Sequence, residues 1–82
     1  MSERVPVRIP KVSMASEEAA FIEWLAVDGQ PVSEGELIYT IETEKTTVEI
    51  ESGAHGVLRH GQATAEEVYP VGTEIGYIEA QP

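Results

Sequence analysis

Apolar and polar side chains alternate along short runs of this chain, and the runs are broken by Gly, Pro, Asp and Ser. That pattern predicts β-strands of a few residues, each with one buried face, joined by turns. The clearest case is residues 37–50, LIYTIETEKTTVEI. Folded about Glu44-Lys45, this stretch pairs Thr43 with Thr46, Glu42 with Thr47, Ile41 with Val48, Thr40 with Glu49 and Tyr39 with Ile50. Tyr39, Ile41, Val48 and Ile50 then fall on one face and Thr40, Glu42, Thr47 and Glu49 on the other, as an antiparallel pair with one buried and one wet face requires. A slip of one residue would set Ile41 against a Thr and mix the faces, so the pattern selects its own register. Lys45 is thereby placed at the tip of a hairpin.

The remaining runs read in the same way. Residues 5–9 (VPVRI) alternate and stop at Pro10, and Pro6 puts this strand at a sheet edge or at a strand start. Residues 11–18 (KVSMASEE) form a polar loop. Helix formers occupy 17–20, but Phe21, Ile22, Trp24 and Leu25 are strand-type residues and Asp28-Gly29 ends the run. Residues 19–25 are therefore predicted as a strand, with Trp24 largely buried. Asp28-Gly29-Gln30-Pro31 is a turn, and residues 32–35 close on a second glycine. After the hairpin come a loop over 52–56, a strand over 57–60, a loop over 61–67 and a final strand over 71–78.

An internal repeat at an offset of 37 relates Phe21 to Leu58, Val32 to Tyr69, Gly35 to Gly72, Ile38 to Ile75, Ile41 to Ile78 and Glu42 to Glu79. Two similar halves of a few strands each fit a small sandwich in which each half lends strands to the other's sheet and so hides most edges. The matched glycines predict the same positive-φ turn in both halves.

Composition narrows the functional classes. A chain of 82 residues buries only about 60 to 65% of its unfolded surface, and 41% apolar residues support a thin β core with no deep substrate cavity. This argues against a self-contained enzyme. Fifteen acids against five bases give a net charge of −10, with the acids scattered, which describes an acidic folded surface. Arg4, Arg8, Arg59 and the two lysines form no cluster, so nucleic acid is not an expected partner, and a basic protein surface is the natural complement. The absence of cysteine removes disulfides, thiolate nucleophiles and Cys metal sites. His55 and His60 have no third ligand at useful spacing and are expected at the ends of a surface strand, with no metal. No apolar run approaches the roughly 18 residues of a membrane span, and the opening MSERVPVRIPK has no apolar signal core. No membrane partner is expected.

Lys45 is one of only two lysines, with Lys11, and Glu42, Glu44, Glu49 and Glu51 bracket it. A lysine in a turn is ordinarily a solvated charge among acids. Two-residue hairpin loops, however, favour Asn-Gly or Asp-Gly for their positive φ, and Glu-Lys supplies none, so the lysine asks for another reason to be there.

Residues 10–14 (PKVSM), 18–25 (EAAFIEWL), 28–32 (DGQPV), Gly35, 41–50 (IETEKTTVEI), 56–58 (GVL) and 71–76 (VGTEIG) together resemble the biotinyl/lipoyl attachment domain family, in particular the lipoyl domains of the acyltransferase (E2) component of 2-oxoacid dehydrogenase complexes. The resemblance spans nearly the whole chain in order. It implies an all-β fold, a flattened β-barrel or sandwich of two four-stranded antiparallel sheets with a quasi-twofold axis (a barrel-sandwich hybrid), with residues 1–82 as a single lipoyl-type domain and 81–82 as the start of a linker. The family's attachment motif Glu-Thr-Asp-Lys-Ala corresponds here to Glu42-Thr43-Glu44-Lys45-Thr46. By that resemblance Lys45 carries lipoic acid in amide linkage as a swinging arm, and Glu42, Thr43, Glu44, Thr46 and Glu49, with the loop over 14–18, form the recognition surface around it.

The same resemblance implies a carrier without turnover of its own. Its partners would be a lipoate ligase or lipoyl transferase, a thiamine-dependent 2-oxoacid decarboxylase (E1), the acyltransferase core (E2) and the flavin-containing dihydrolipoamide dehydrogenase (E3). The setting would be the bacterial cytoplasm, or the mitochondrial matrix in a eukaryote. Glu44 and Thr46 depart from the motif's Asp and Ala, Ala19 replaces a usual Gly, and 61–68 depart from the usual second-half pattern. Biotin carriers share the fold and the lysine but flank it with Met on both sides, and neither Glu44 nor Thr46 matches. A glycine-cleavage carrier usually adds helices that this chain lacks. An unmodified interaction module of the same fold is the alternative from another class.

Overall fold

The computed structural model describes residues 3–12, 14 and 17–80. The expected linker at 81–82 and part of the loop over 14–18 lie outside the described residues. Eight strands follow in chain order: β1 (Glu3–Arg8), β2 (Glu18–Trp24), β3 (Pro31–Val32), β4 (Leu37–Glu42), β5 (Thr47–Glu51), β6 (Gly56–His60), β7 (Glu67–Pro70) and β8 (Glu74–Ala80). They form two four-stranded sheets ordered β1-β8-β6-β3 and β5-β4-β2-β7, and every pairing is antiparallel. The fold is the all-β sandwich that the alternation pattern and the resemblance imply.

The half-repeat is visible in the hydrogen bonds. The Gly29 N–H donates to the Leu58 carbonyl at 2.7 Å, and the Glu66 N–H donates to the Phe21 carbonyl at 2.6 Å. An offset of 37 takes Gly29 to Glu66 and Phe21 to Leu58, so each half reaches into the other through the same contact. The turn bonds Gln30 N–H to Val27 carbonyl (3.1 Å) and Glu67 N–H to Thr64 carbonyl (3.2 Å) repeat at the same offset. So do Glu36 N–H to Ser33 carbonyl (3.0 Å) and Thr73 N–H to Pro70 carbonyl (3.1 Å). Gly35 and Gly72 occupy the third positions of those last two turns with φ of 92° and 94°, the left-handed geometry predicted for both. Gly29 has φ 86°, and its mate Glu66 is held at φ 69°, where a side chain is unfavourable.

The core between the sheets consists of Val7, Ile9, Ala19, Phe21, Ala26, Val32, Ile38, Tyr39, Ile41, Leu58, Ile75 and Ile78, with Val48, Ile50, Trp24 and Tyr69 packed against it. The Tyr39 hydroxyl donates to the Arg8 carbonyl at 2.9 Å and so ties one sheet to the other. Burial pushes that hydroxyl above its ordinary pKa.

Four details correct or refine the reading of the sequence. Trp24 is largely covered, as expected, but it packs at the margin of the core and not inside it: its indole lies parallel to the His60 imidazole, centroids 4.2 Å apart. Thr40 is buried at 8% exposure even though it lies on the face predicted to be wet. It sits on an inner strand, in register with Glu49 on one side and Glu23 on the other, whose longer side chains flank it. Residues 67–70 form β7, an edge strand on β2, while 71–73 are the turn before β8 and not its first residues. Pro31 and Val32, read as turn, make the short edge strand β3 on β6.

Two bulges in the β5-β4-β2-β7 sheet account for departures from strict alternation there. One at Ile22 puts Phe21 and Trp24, three residues apart, on the same face with ring centroids at 5.3 Å. The other, at Ile38, leaves both Ile38 and Tyr39 buried.

Candidate functional site

Strands β4 and β5 pair as the alternation predicts, with Tyr39 opposite Ile50, Thr40 opposite Glu49, Ile41 opposite Val48 and Glu42 opposite Thr47. Lys45 is therefore carried at the end of a hairpin whose base contains the core residues Tyr39 and Ile41. The buried half of the hairpin is anchored by the sandwich, and Glu44, Lys45 and Thr46 at its end are exposed.

The tip closes without positive φ, since Glu66 is the only non-glycine residue in that region among those described. Thr43 supplies what Asn-Gly would otherwise provide. Its N–H donates to the Thr46 carbonyl at 2.8 Å, the narrow bond that shuts the loop. Its hydroxyl oxygen accepts from the N–H groups of Lys45 (3.4 Å) and Thr46 (3.3 Å) and donates to the Thr46 carbonyl (3.3 Å). A side chain that serves its own turn in this way stands in for a backbone carbonyl. The Thr47 hydroxyl also donates to a Glu42 carboxylate oxygen at 3.4 Å, across the last pair of the ladder.

The backbone on both sides of Lys45 is thus fixed while its side chain is exposed. Among the described residues the ion pair within 4 Å is Arg59 with Glu79, away from the tip, so Lys45 is held by no carboxylate. Glu42, Glu44 and Thr46 are exposed around it, Glu49 is exposed farther down β5, and a shallow depression at the tip is lined by the residues from Glu42 to Thr47. Glu42, Thr43, Glu44 and Thr46 thus lie with Lys45 around the tip depression, whereas Glu49 sits opposite Thr40, two ladder pairs below Glu42–Thr47. Of the loop over 14–18, Glu18 comes close enough to line a second depression with Glu42, Thr43 and Glu44. That depression also involves Ala20 and Val68, which the sequence reading did not single out.

His55 and His60 lie just before and at the end of a strand, as expected, but that strand, β6, is an inner one with Leu58 in the core and not a surface strand. A His60 ring nitrogen, Nε2, lies 2.8 Å from the Ala26 carbonyl, and the His60 N–H donates to Asp28 at 2.9 Å. Both contacts, with the Trp24 stack, give this histidine a structural place.

The family model described as biotin-requiring enzyme, the biotin/lipoyl family, matches residues 5–78. The acetyltransferase component of an acetoin-cleaving system from Bacillus subtilis, described as a dihydrolipoyllysine-residue enzyme, is 38% identical over 74 residues, which is 90% of this chain and 19% of that protein. The dihydrolipoyllysine-residue succinyltransferase component of the 2-oxoglutarate dehydrogenase complex of Rickettsia felis is 34% identical over 74 residues, 90% of this chain and 18% of that protein. The acetyltransferase component of the pyruvate dehydrogenase complex of Rhizobium meliloti is 34% identical over 70 residues. The chain thus spans 14–19% of the length of these relatives. The solution structure of the lipoyl domain of the 2-oxoglutarate dehydrogenase complex from Azotobacter vinelandii superposes with a TM-score of 0.74 at 23% identity, covering 94% of this chain and 99% of that one. The chain belongs to the biotin/lipoyl attachment family, and its fold is that of a lipoyl domain.

Proposed function

We propose that this chain is a lipoyl carrier domain, with lipoic acid joined in amide linkage to Lys45 and presented as a swinging arm for acyl transfer in a 2-oxoacid dehydrogenase complex. The observation that carries the reading is the tip itself: a single exposed primary amine, bound to no carboxylate, on a backbone locked by Thr43. Such a site fits acylation at Nζ. No ion pair with a described residue has to be broken, and the side chain is exposed. The group, once attached, supplies a dithiolane that can take up an acyl group together with electrons.

This chain's own residues would hold and present that group. The Tyr39–Ile50 and Ile41–Val48 pairs keep the stem rigid, Thr43 fixes the turn, and Glu42 and Glu44 flank the attachment point with negative charge, to which Glu49 adds from farther down β5. A basic rim on a partner would be drawn to that charge, an effect that weakens as the Debye length falls to about 10 Å at 0.1 M salt. The domain itself contributes no turnover in this reading. Ligase, decarboxylase, acyltransferase core and dihydrolipoamide dehydrogenase are the partners it implies. The relatives serve acetoin, 2-oxoglutarate and pyruvate systems, so the oxoacid is left open.

Intact mass after expression with lipoate tests the proposal. One lipoyl group is expected on the wild type and on Lys11→Arg, and none on Lys45→Arg, which keeps charge and turn but has no amine that can be acylated. A biotinyl increment would move the chain to the other branch of its family. An unmodified mass in cells with active lipoylation would favour an interaction module.

A further inference from the structure

The outer face of the β5-β4-β2-β7 sheet has a trough that starts at the hairpin tip. Glu42, Ala20 and Val68 lie in one row across β4, β2 and β7, since Ala20 pairs with both of the others. Ala20 raises only a methyl group between two longer side chains, so the middle of the row is low. Glu18 and Ala19 on β2 and Thr43 and Glu44 at the turn complete the lining. Val68, a large aliphatic residue, stands 52% exposed at the far wall. The depression around Lys45 shares Glu42, Thr43 and Glu44 with this trough, so the two adjoin at the tip.

We propose that the trough is a docking groove for the aliphatic arm carried by Lys45, with the arm resting against Ala20 and Val68 when no partner holds it. The inference rests on the reading of Lys45 as an attachment site. Two strand spacings separate β4 from β7, about 10 Å, and an extended acyl-lysine spans that distance. Acylation removes the ammonium charge, so the modified side chain is no longer drawn to Glu18, Glu42 and Glu44, while its aliphatic stem gains by covering apolar surface. Because the arm is tethered at the mouth of the trough, docking is intramolecular, and a shallow site suffices where a free ligand would need a deep one. A basic segment of another protein is the competing occupant. It would depend on the three glutamates more than on Ala20.

The chain has no cysteine, so Lys45→Cys can be alkylated selectively with N-octyl iodoacetamide. Sulfur displaces iodide, a thioether forms, and an amide-bearing aliphatic chain stands at the tip without any ligase. N-methyl iodoacetamide gives the short-arm control. By NMR, nuclear Overhauser contacts are expected between the octyl methylenes and the methyl groups of Ala20 and Val68, with shift changes at both residues that the short arm does not produce. Ala20→Leu, which fills the trough, or Val68→Lys, at an exposed position where folding is not at stake, should abolish these contacts while the amide shifts at 43–46 persist. Octyl-induced shifts confined to 43–47, or contacts unaffected by either substitution, would overturn the proposal. The chemically attached arm answers this question whether or not lipoate is found on Lys45, so failure of the groove and failure of the carrier reading are told apart.

Discussion

Replacing Thr43 by Val tests how firmly the tip presents Lys45. Valine keeps the shape and β-branching of threonine and removes three contacts, two accepted from the Lys45 and Thr46 N–H groups and one donated to the Thr46 carbonyl, all at 3.3–3.4 Å. The contacts are long and exposed, and water can replace them, so each contributes about 0.5 kcal/mol, the low end for an intramolecular bond. The Thr43 N–H to Thr46 carbonyl bond at 2.8 Å survives. The loss is then about 1 to 1.5 kcal/mol, spent on opening the turn locally, and the melting temperature should fall by only a few degrees. Presentation responds more strongly. A bias of that size holds the closed tip over its alternatives by up to about tenfold, and an enzyme that reads the closed tip must select it from what remains. Initial rates of lipoylation, followed by intact mass over a range of domain concentrations, should show KM for Thr43→Val raised by up to about tenfold with kcat unchanged, and Thr43→Ser close to wild type. Equal KM values for Val and wild type would refute the role given to the hydroxyl. A fall in kcat alone would place the defect in the chemical step.

Three further outcomes are expected. Glu66→Gly should raise the melting temperature by a few degrees, because relief of a left-handed backbone costing about 1 to 2 kcal/mol outweighs the roughly 0.5 to 1 kcal/mol of extra chain entropy; a lower value would show that the Glu66 side chain holds the loop. Gly72→Val should destabilise by about 1 to 3 kcal/mol in denaturant titration through backbone strain alone, since a Cβ there would meet nothing within 4 Å, and an unchanged midpoint would count against the paired-turn geometry. Burial raises the Tyr39 pKa, so above the unfolded value of about 10 the unfolded chain loses a proton that the folded chain keeps, and stability falls by about 1.4 kcal/mol per pH unit. Below that pH both states are protonated and the contribution is intact. Tyr39→Phe should cost about 1 kcal/mol at neutral pH through the bond to Arg8 and should show a correspondingly shallower alkaline slope; equal slopes would assign the loss to another group.

What could be read from the sequence follows how far apart the interacting residues lie along the chain. The β4–β5 register was legible because each partner is only a few residues away and the turn leaves no room for a second solution. The paired turns at Gly35 and Gly72 were legible because the offset of 37 repeats a backbone requirement. Glu66 escaped notice for the complementary reason: its mate is Gly29, but a glutamate does not advertise positive φ. The cover of Trp24 was legible from its residue type, but its place at the margin under His60 was not, because the bulge at Ile22 sets it. Thr40 was placed in water because alternation describes one strand, and its cover comes from the two strands beside it.

The attachment point and the surface beside it differ in the same way, and that difference bears on function. Lys45, Glu42, Glu44, Thr46 and Glu49 share one hairpin, so a local motif specifies the place where a cofactor can be joined. The trough needs Glu42, Ala20 and Val68 in one row, which depends on β7 closing against β2 across more than forty residues of chain. Substitutions at Ala20 or Val68 can therefore change how an arm is held without touching the tip that a ligase would read. Substitutions at Thr43 act on the tip and leave the trough's floor in place. On the proposed reading, attachment and handling of the arm are separable at the trough's floor: Ala20→Leu should abolish arm contacts and leave lipoylation KM unchanged, whereas Thr43, which sits at the tip and also lines the trough's mouth, acts first on KM.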